Sequence, residues 1–78
     1  MTEFYLLTKA QCPLCEQALT QLQQLLLARS IRLHQVDIAT DEQLCREYAW
    51  LVPVLIRAAD DAELRWPFGD KLMEFVQQ

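Results

Sequence analysis

Two thiols stand three residues apart in Cys12-Pro13-Leu14-Cys15, just after the apolar run Phe4-Tyr5-Leu6-Leu7 and at the start of a long helical pattern. In a strand-to-helix setting, that spacing points to thiol–disulfide exchange. Proline suits the first helical position, because its missing N–H would have no partner inside the helix. Cys12 then falls at the N-cap, where the N–H groups of Leu14 and Cys15 can point at its sulfur. The positive end of the helix dipole favours a thiolate there over a neutral thiol.

A helix can present such a pair only if strands fix where it begins. Glu3 to Thr8 reads as a strand apolar on both faces, as suits the middle of a covered sheet. From Leu14 to about Arg29, the residues Leu14, Ala18, Leu22, Leu25 and Arg29 recur at helical spacing. Leu19 and Leu26 widen that face, while Gln17, Gln21 and Gln24 supply a polar one. Ile31 to Ile38 is a second strand, which Arg32, His34 and Gln35 make polar enough for an edge. Strand, helix and strand in succession form a parallel βαβ unit with a right-handed crossover.

A second helix is predicted from near Thr40, where Thr40-Asp41-Glu42-Gln43 fits a capping box. Leu44, Cys45, Tyr48 and Leu51 are expected on its buried stripe. Pro53-Val54-Leu55-Ile56 is a third strand, apolar on both faces. Asp60 and Asp61 supply a turn, after which Glu63-Leu64-Arg65-Trp66 pairs back as a hairpin. Phe68-Gly69-Asp70 interrupts the chain before a short last helix, with Leu72, Met73, Phe75 and Val76 on its apolar side. The fold class is therefore α/β, in the order βαβ then ββα. Apolar strands in the centre and polar ones at the edges give a four-stranded mixed sheet of order 2-1-3-4 flanked by three helices.

Seventy-eight residues, 53% of them hydrophobic, suit one domain over 1–78 with a packed core. No apolar stretch approaches the roughly 20 residues that span a bilayer, so no membrane partner is expected. Met1-Thr2-Glu3 lacks the basic start of a secretory signal, which makes the cytoplasm the expected compartment. The net charge is −4 with no basic stripe, which argues against nucleic acid as a partner. The chain is expected to act as a monomer. Three cysteines cannot pair fully, and in a reducing compartment a close pair is more readily catalytic or metal-binding than structural.

Pro53 calls for an explanation, since proline is tolerated in a central strand mainly at its first position. A cis Val52–Pro53 peptide, at a cost of about 0.5–1 kcal/mol for an X-Pro bond, would expose the N–H and C=O of Val52. Those groups would suit an extended thiol-bearing peptide added as a strand. A trans proline would merely start the strand. Both readings stand at this level.

Thr8-Lys9-Ala10-Gln11-Cys12-Pro13-Leu14-Cys15 is similar to the glutaredoxin signature of a strand, Thr-Lys, two residues and Cys-Pro-x-Cys. Leu51-Val52-Pro53 resembles that family's cis-proline segment, and Trp66-Pro67-Phe68 resembles the end of the fourth strand in small bacterial glutaredoxin-like proteins. The resemblance covers the whole chain and implies a minimal thioredoxin fold. Gln11 and Leu14 stand where glutaredoxins usually carry aromatic residues. The family's Gly-Gly and acidic segment for the γ-glutamyl end of glutathione is shortened to Phe68-Gly69-Asp70-Lys71.

The resemblance implies that Cys12 attacks a disulfide and that Cys15 resolves the mixed disulfide. It places Lys9 beside Cys12, where a cation would stabilise the thiolate or meet a substrate carboxylate. It also makes Val52, Pro53, Gly69 and Asp70 partner-binding positions. Plainer readings are a solvated lysine for Lys9 and a helix N-cap for Asp70. Cys45 reads as a small core residue, His34 as solvated, and Trp50 and Trp66 as packing residues, with Trp66-Pro67-Phe68 also able to line the groove beside the thiols.

The leading expectation is a thiol–disulfide oxidoreductase with no bound organic cofactor, acting on a disulfide-bearing protein or on glutathione mixed disulfides, with glutathione as a co-substrate. One alternative is a non-catalytic module that binds a protein through the groove near Val52 and Trp66. Another is metal binding, through Cys12, Cys15, Cys45 and His34 or through a cluster bridging two chains at Cys12. Pro13 and the helix that follows it differ from the glycine-bearing turns of zinc knuckles, so no metal site is assigned.

Overall fold

Side-chain alternation along the first strand divides the interior in two. The computed structural model describes residues 2–26 and 29–77, apart from the side chains of Thr2 and Leu26. In it, β1 (Thr2–Thr8) buries Phe4 and Leu6 on one face and Leu7 on the other, as a period of two requires. β3 (Val54–Arg57) repeats the division, with Leu55 joining Phe4 and Leu6 while Val54 joins Leu7. Ala18 and Leu22 of α1 (Pro13–Leu26) complete the first cluster, together with Phe68 and with Leu72 and Val76 of α3 (Lys71–Gln77). The second cluster contains Ile38, Val52, Tyr48 of α2 (Glu42–Tyr48) and both Cys12 and Cys15.

β2 (Ile31–Asp37) runs parallel to β1, in register from Thr2 opposite Ile31 to Thr8 opposite Asp37. β3 runs antiparallel to β1 with Val54 opposite Leu7, and β4 (Glu63–Arg65) pairs antiparallel to β3 with Arg65 opposite Val54. The sheet order β2-β1-β3-β4 is the predicted one. Buried hydrocarbon fills the two central strands, and exposed Arg32, Gln35, Glu63 and Arg65 mark the two edges.

At the end of the sheet away from the thiols, the guanidinium of Arg57 donates to both Asp60 oxygens at 2.9 and 2.7 Å and to the carbonyl of Phe75 at 2.9 Å. It also lies 4.7 Å from the Phe75 ring centroid. One side chain therefore ties β3, the following turn and α3 together. Its hydrogen bonds hold the Asp60 carboxyl below the usual carboxylate range.

Several local expectations need correction. Leu14 is 44% exposed, and the inward position of the first turn of α1 belongs to Cys15, so the stripe runs Cys15, Ala18, Leu22. The predicted continuation of this helix over residues 27 and 28, and the part assigned to Leu26, lie outside the described residues. α2 is capped by Asp41 rather than started by Thr40. The Asp41 carboxylate accepts from the N–H groups of Gln43 at 2.8 Å and Leu44 at 3.3 Å. Thr40 instead ends a 3₁₀ turn, Ile38–Thr40, capped by Asp37.

Cys45, read as a core residue, is exposed. In so short a helix the i, i+4 pair Leu44 and Tyr48 takes the inward face, and a neighbour is turned about 100° away. Met73 is exposed for the same reason, beside the inward pair Leu72 and Val76. Trp50, read as a packing residue, is 93% exposed. His34, read as solvated, keeps 40% of its side chain exposed while its ring stacks on Tyr5 at 5.1 Å and its Nε2 lies 3.3 Å from Glu3 Oε1. Trp66 packs against the first cluster, edge-on to Phe68 at 5.2 Å, and so belongs with that cluster rather than with the thiols.

Candidate functional site

The chain leaves β1 through Lys9 and Ala10 and turns at Gln11, whose φ of +56° lies in the left-handed region that few side chains adopt. That turn delivers Cys12 to the head of α1. Pro13 takes the first helical position, and the Cys12 carbonyl accepts the Glu16 N–H at 3.2 Å. The N–H of Cys15 donates to Cys12 Sγ at 3.2 Å, whereas the Leu14 N–H makes no such bond among the described residues. Cys12 and Cys15 are joined as a disulfide, with Cα atoms 5.2 Å apart, inside the normal range for such a bond. Cys12 is 9% exposed and Cys15 4%. Both belong to the apolar cluster of Leu7, Tyr48 and Val52, and both line a cleft.

Strand order gives this pair two flanks. On the β3 side, the peptides Val52–Pro53 and Trp66–Pro67 are cis. Pro53 is fully buried. The N–H of Val52 donates to the Tyr48 carbonyl at 3.1 Å, which leaves its own carbonyl as the group without a partner among the described residues. Expected beside Cys12, Lys9 lines a cleft with it, and its ammonium donates to the carbonyl of Ala49 at 3.0 Å and lies 5.7 Å from the Trp50 ring centroid. Ala49 is the C-cap of α2, where a cation is favoured by the helix dipole.

On the β2 side, a cleft of about 240 Å³ reaches both cysteines. Lys9, Gln11, Glu16, Leu19 and Gln35 line it with Thr8 and Ala10. Gln35 arrives by register: it stands opposite Leu6 in the parallel pair and so shares the face covered by α1. Sequence reasoning missed both Glu16 and Gln35. The pairing of the two strands was the signal that could have found the second. A larger cleft, about 310 Å³, is lined by Arg57, Leu64, Lys71, Glu74 and Phe75 and contains no cysteine.

The structure thus brings Cys12, Cys15 and Lys9 to one cleft and Val52 to the same apolar cluster, but Gly69 and Asp70 line neither cleft. Gly69 has φ +56° with open space around it, so the backbone conformation alone explains a glycine there. Among the described residues, the side chain of Asp70 caps nothing. The first amides of α3 donate instead to the carbonyls of Phe68 and Gly69. Tyr48 was read only as a stripe residue, yet its hydroxyl donates to Glu63 Oε2 at 2.6 Å from within the thiol cluster. That bond, with burial second, pushes its pKa up to about 12. Among the described residues, no three His, Cys, Asp or Glu side chains group closely enough to hold a metal, and no helix is long and apolar enough to cross a membrane.

A four-stranded mixed sheet with three helices and a cysteine pair at the head of the first helix defines a thioredoxin-like α/β fold with a site of thiol-redox type. The chain matches the Glutaredoxin-like domain (DUF836) over residues 3–77, and it belongs to that family. Its structure is similar to the X-ray structure of target protein XcR50 from X. campestris, at 33% identity over 95% of each chain and a TM-score of 0.80. It is also similar to the solution NMR structure of protein Ne2328 from Nitrosomonas europaea, at 25% identity over 95% of this chain and 88% of that one, again with a TM-score of 0.80. No curated protein matches the sequence.

Proposed function

We propose that the protein is a thiol–disulfide oxidoreductase working through Cys12 and Cys15. The observation that carries this reading is the Cys15 N–H directed at Cys12 Sγ at the head of a 14-residue helix. In the reduced protein the same amide and the helix dipole would stabilise a thiolate at Cys12. That thiolate attacks a substrate disulfide, one substrate sulfur leaves as a thiolate, and a mixed disulfide forms on Cys12. Cys15 then attacks Cys12 Sγ and releases the second substrate thiol, closing the intramolecular bridge.

The substrate class is a disulfide-bearing protein or a glutathione mixed disulfide, with glutathione as co-substrate and no bound organic cofactor. The Val52 carbonyl, without a partner among the described residues, and the 93% exposed Trp50 favour a polypeptide partner on the β3 flank. Exposed Lys9, Gly69 and Asp70 complete that proposed partner surface, with buried Pro53 fixing the backbone of Val52 beneath it, in a cytoplasmic monomer. Cys12→Ser should abolish exchange, and Cys15→Ser should hold partners as a mixed disulfide on Cys12. Unchanged exchange in Cys12→Ser, or a reduced protein lacking any low-pKa thiol, sinks this reading.

The low exposure of Cys12 favours a second reading, a non-catalytic module that binds protein through the same flank. It predicts a partner captured equally by the wild type and by a variant with both cysteines changed to serine.

A further inference from the structure

We propose that Tyr48 and Glu63 are positioning residues for polypeptide substrates, holding the Val52 carbonyl where an incoming peptide N–H meets it. This rests on the oxidoreductase reading and adds to it the device that sets affinity for an extended chain. Both residues act through Val52 rather than on the reacting sulfurs.

A closed ring of bonds passes through Val52. The Tyr48 hydroxyl donates to Glu63 Oε2 at 2.6 Å. Glu63 stands opposite Ile56 in the β3–β4 ladder, and β3 begins at Val54, just beyond Val52 and Pro53. The Tyr48 carbonyl completes the ring by accepting the N–H groups of Leu51 at 2.9 Å and Val52 at 3.1 Å. One residue thus fixes the turn after α2 through its backbone and ties that turn to the edge strand through its side chain. With its N–H engaged inside the ring, Val52 has its carbonyl left for strand pairing.

Packing alone does not call for the phenol. Tyr48 is 7% exposed within the cluster that holds both cysteines, where a phenylalanine would bury a similar area. The hydroxyl adds a direction that a phenyl ring lacks. α2 has only seven residues, too few to hold its own last turn without support from the rest of the fold. Cutting the bond lets that turn sample other positions, and apparent affinity falls with the fraction that stays competent. The loss of one such hydrogen bond should change that fraction about fivefold.

The test gives the reduced full chain two substrates. One is a short blocked peptide whose central cysteine is disulfide-linked to 2-mercaptoethanol; the other is bis(2-hydroxyethyl) disulfide, which has no peptide N–H. Tyr48→Phe should raise KM for the peptide about fivefold at unchanged kcat, with no such effect on the small disulfide. Glu63→Leu should match it, and the double variant should be no worse than either. Glu63→Gln keeps an acceptor and should restore the wild-type KM. N-methylation of the peptide amides, one at a time, should find a position that raises the wild-type KM and cancels the effect of Tyr48→Phe. An unchanged peptide KM in folded Tyr48→Phe, an equal loss with the small disulfide, or Glu63→Gln as weak as Glu63→Leu overturns the proposal. A wild type that exchanges neither substrate overturns the oxidoreductase reading instead. Calorimetric binding of the same peptide with serine for cysteine then decides the positioning claim: weaker binding by Tyr48→Phe supports it, and equal binding overturns it.

Discussion

The two faces of the sheet draw on the same central strands but bury different chemistry. Under α1 and α3, Phe4, Leu6, Leu22, Leu55 and Phe68 make a cluster of hydrocarbon alone. On the α2 side, Leu7, Ile38 and Val54 share the interior with two sulfurs and a phenol. Full burial of one large apolar side chain is worth about 1.5–3 kcal/mol, so the first face can hold the fold through area. The second face must also satisfy what it buries, because a hydroxyl taken from water without a partner is costly. Glu63 on the edge strand meets that need for Tyr48. One face therefore supplies stability, and the other sacrifices some of it to hold reactive groups in place.

Phe4→Ala gives the largest expected effect, since Phe4 is fully buried at the centre of the hydrocarbon face. A loss of about 3–5 kcal/mol is expected in denaturant unfolding. In a domain this small that can unfold much of the population, so Phe4→Leu serves as the milder companion. Exchange per folded molecule should stay near the wild-type value in both. A comparable fall in exchange per folded molecule would show that the two faces are not separable.

Tyr48→Phe probes the other face. Removing one hydrogen-bonded hydroxyl should cost about 1 kcal/mol near neutral pH. The folded pKa of about 12 lies above the usual value near 10, so the protonated phenol is the form that folding favours. Its contribution is complete below pH 10 and is lost as pH rises through 12. Unfolding measured across that window should steepen in the wild type and flatten in Tyr48→Phe. Identical pH profiles would mean that the Glu63 contact does not hold the phenol in solution.

This difference between the faces also governs what the sequence could disclose. Strand order was legible because burial on both sides left Phe4–Leu7 and Val54–Ile56 no polar positions, while Arg32 and Gln35 marked an edge. The cysteine pair was legible because Pro13 fixes where the helix starts. Cys45 and Met73 were misread because in helices of only seven residues a one-residue change of phase decides burial, and Trp50 because it falls in the turn just beyond α2. The bond between Tyr48 and Glu63, and the arrival of Gln35 beside the thiols, depend on pairing between elements that no local pattern records.

Asp41→Ala should cost about 1 kcal/mol, because its carboxylate satisfies two amides at the head of α2. The consequence should be local. Hydrogen exchange is expected to quicken over Glu42–Tyr48 and to stay protected in β1 and β3, since α2 reaches the core mainly through Leu44 and Tyr48. Uniform loss of protection would mean that α2 unfolds only with the whole sheet.

Trp50→Ala should have the smallest effect on stability, within about 0.5 kcal/mol, because the side chain buries almost nothing. Its one described interaction is the Lys9 ammonium 5.7 Å from the ring, an exposed contact worth about 0.5–1 kcal/mol at most. If the β3 flank is the partner surface, the same substitution should weaken exchange with a protein disulfide several-fold and leave reduction of the Cys12–Cys15 disulfide by a small thiol reagent nearly unchanged. Denaturant unfolding and the two exchange rates, measured on one preparation, separate the cases. A stability loss above 1 kcal/mol would make Trp50 a structural support, whereas equal losses in both rates would show that Trp50 does not act through partner binding.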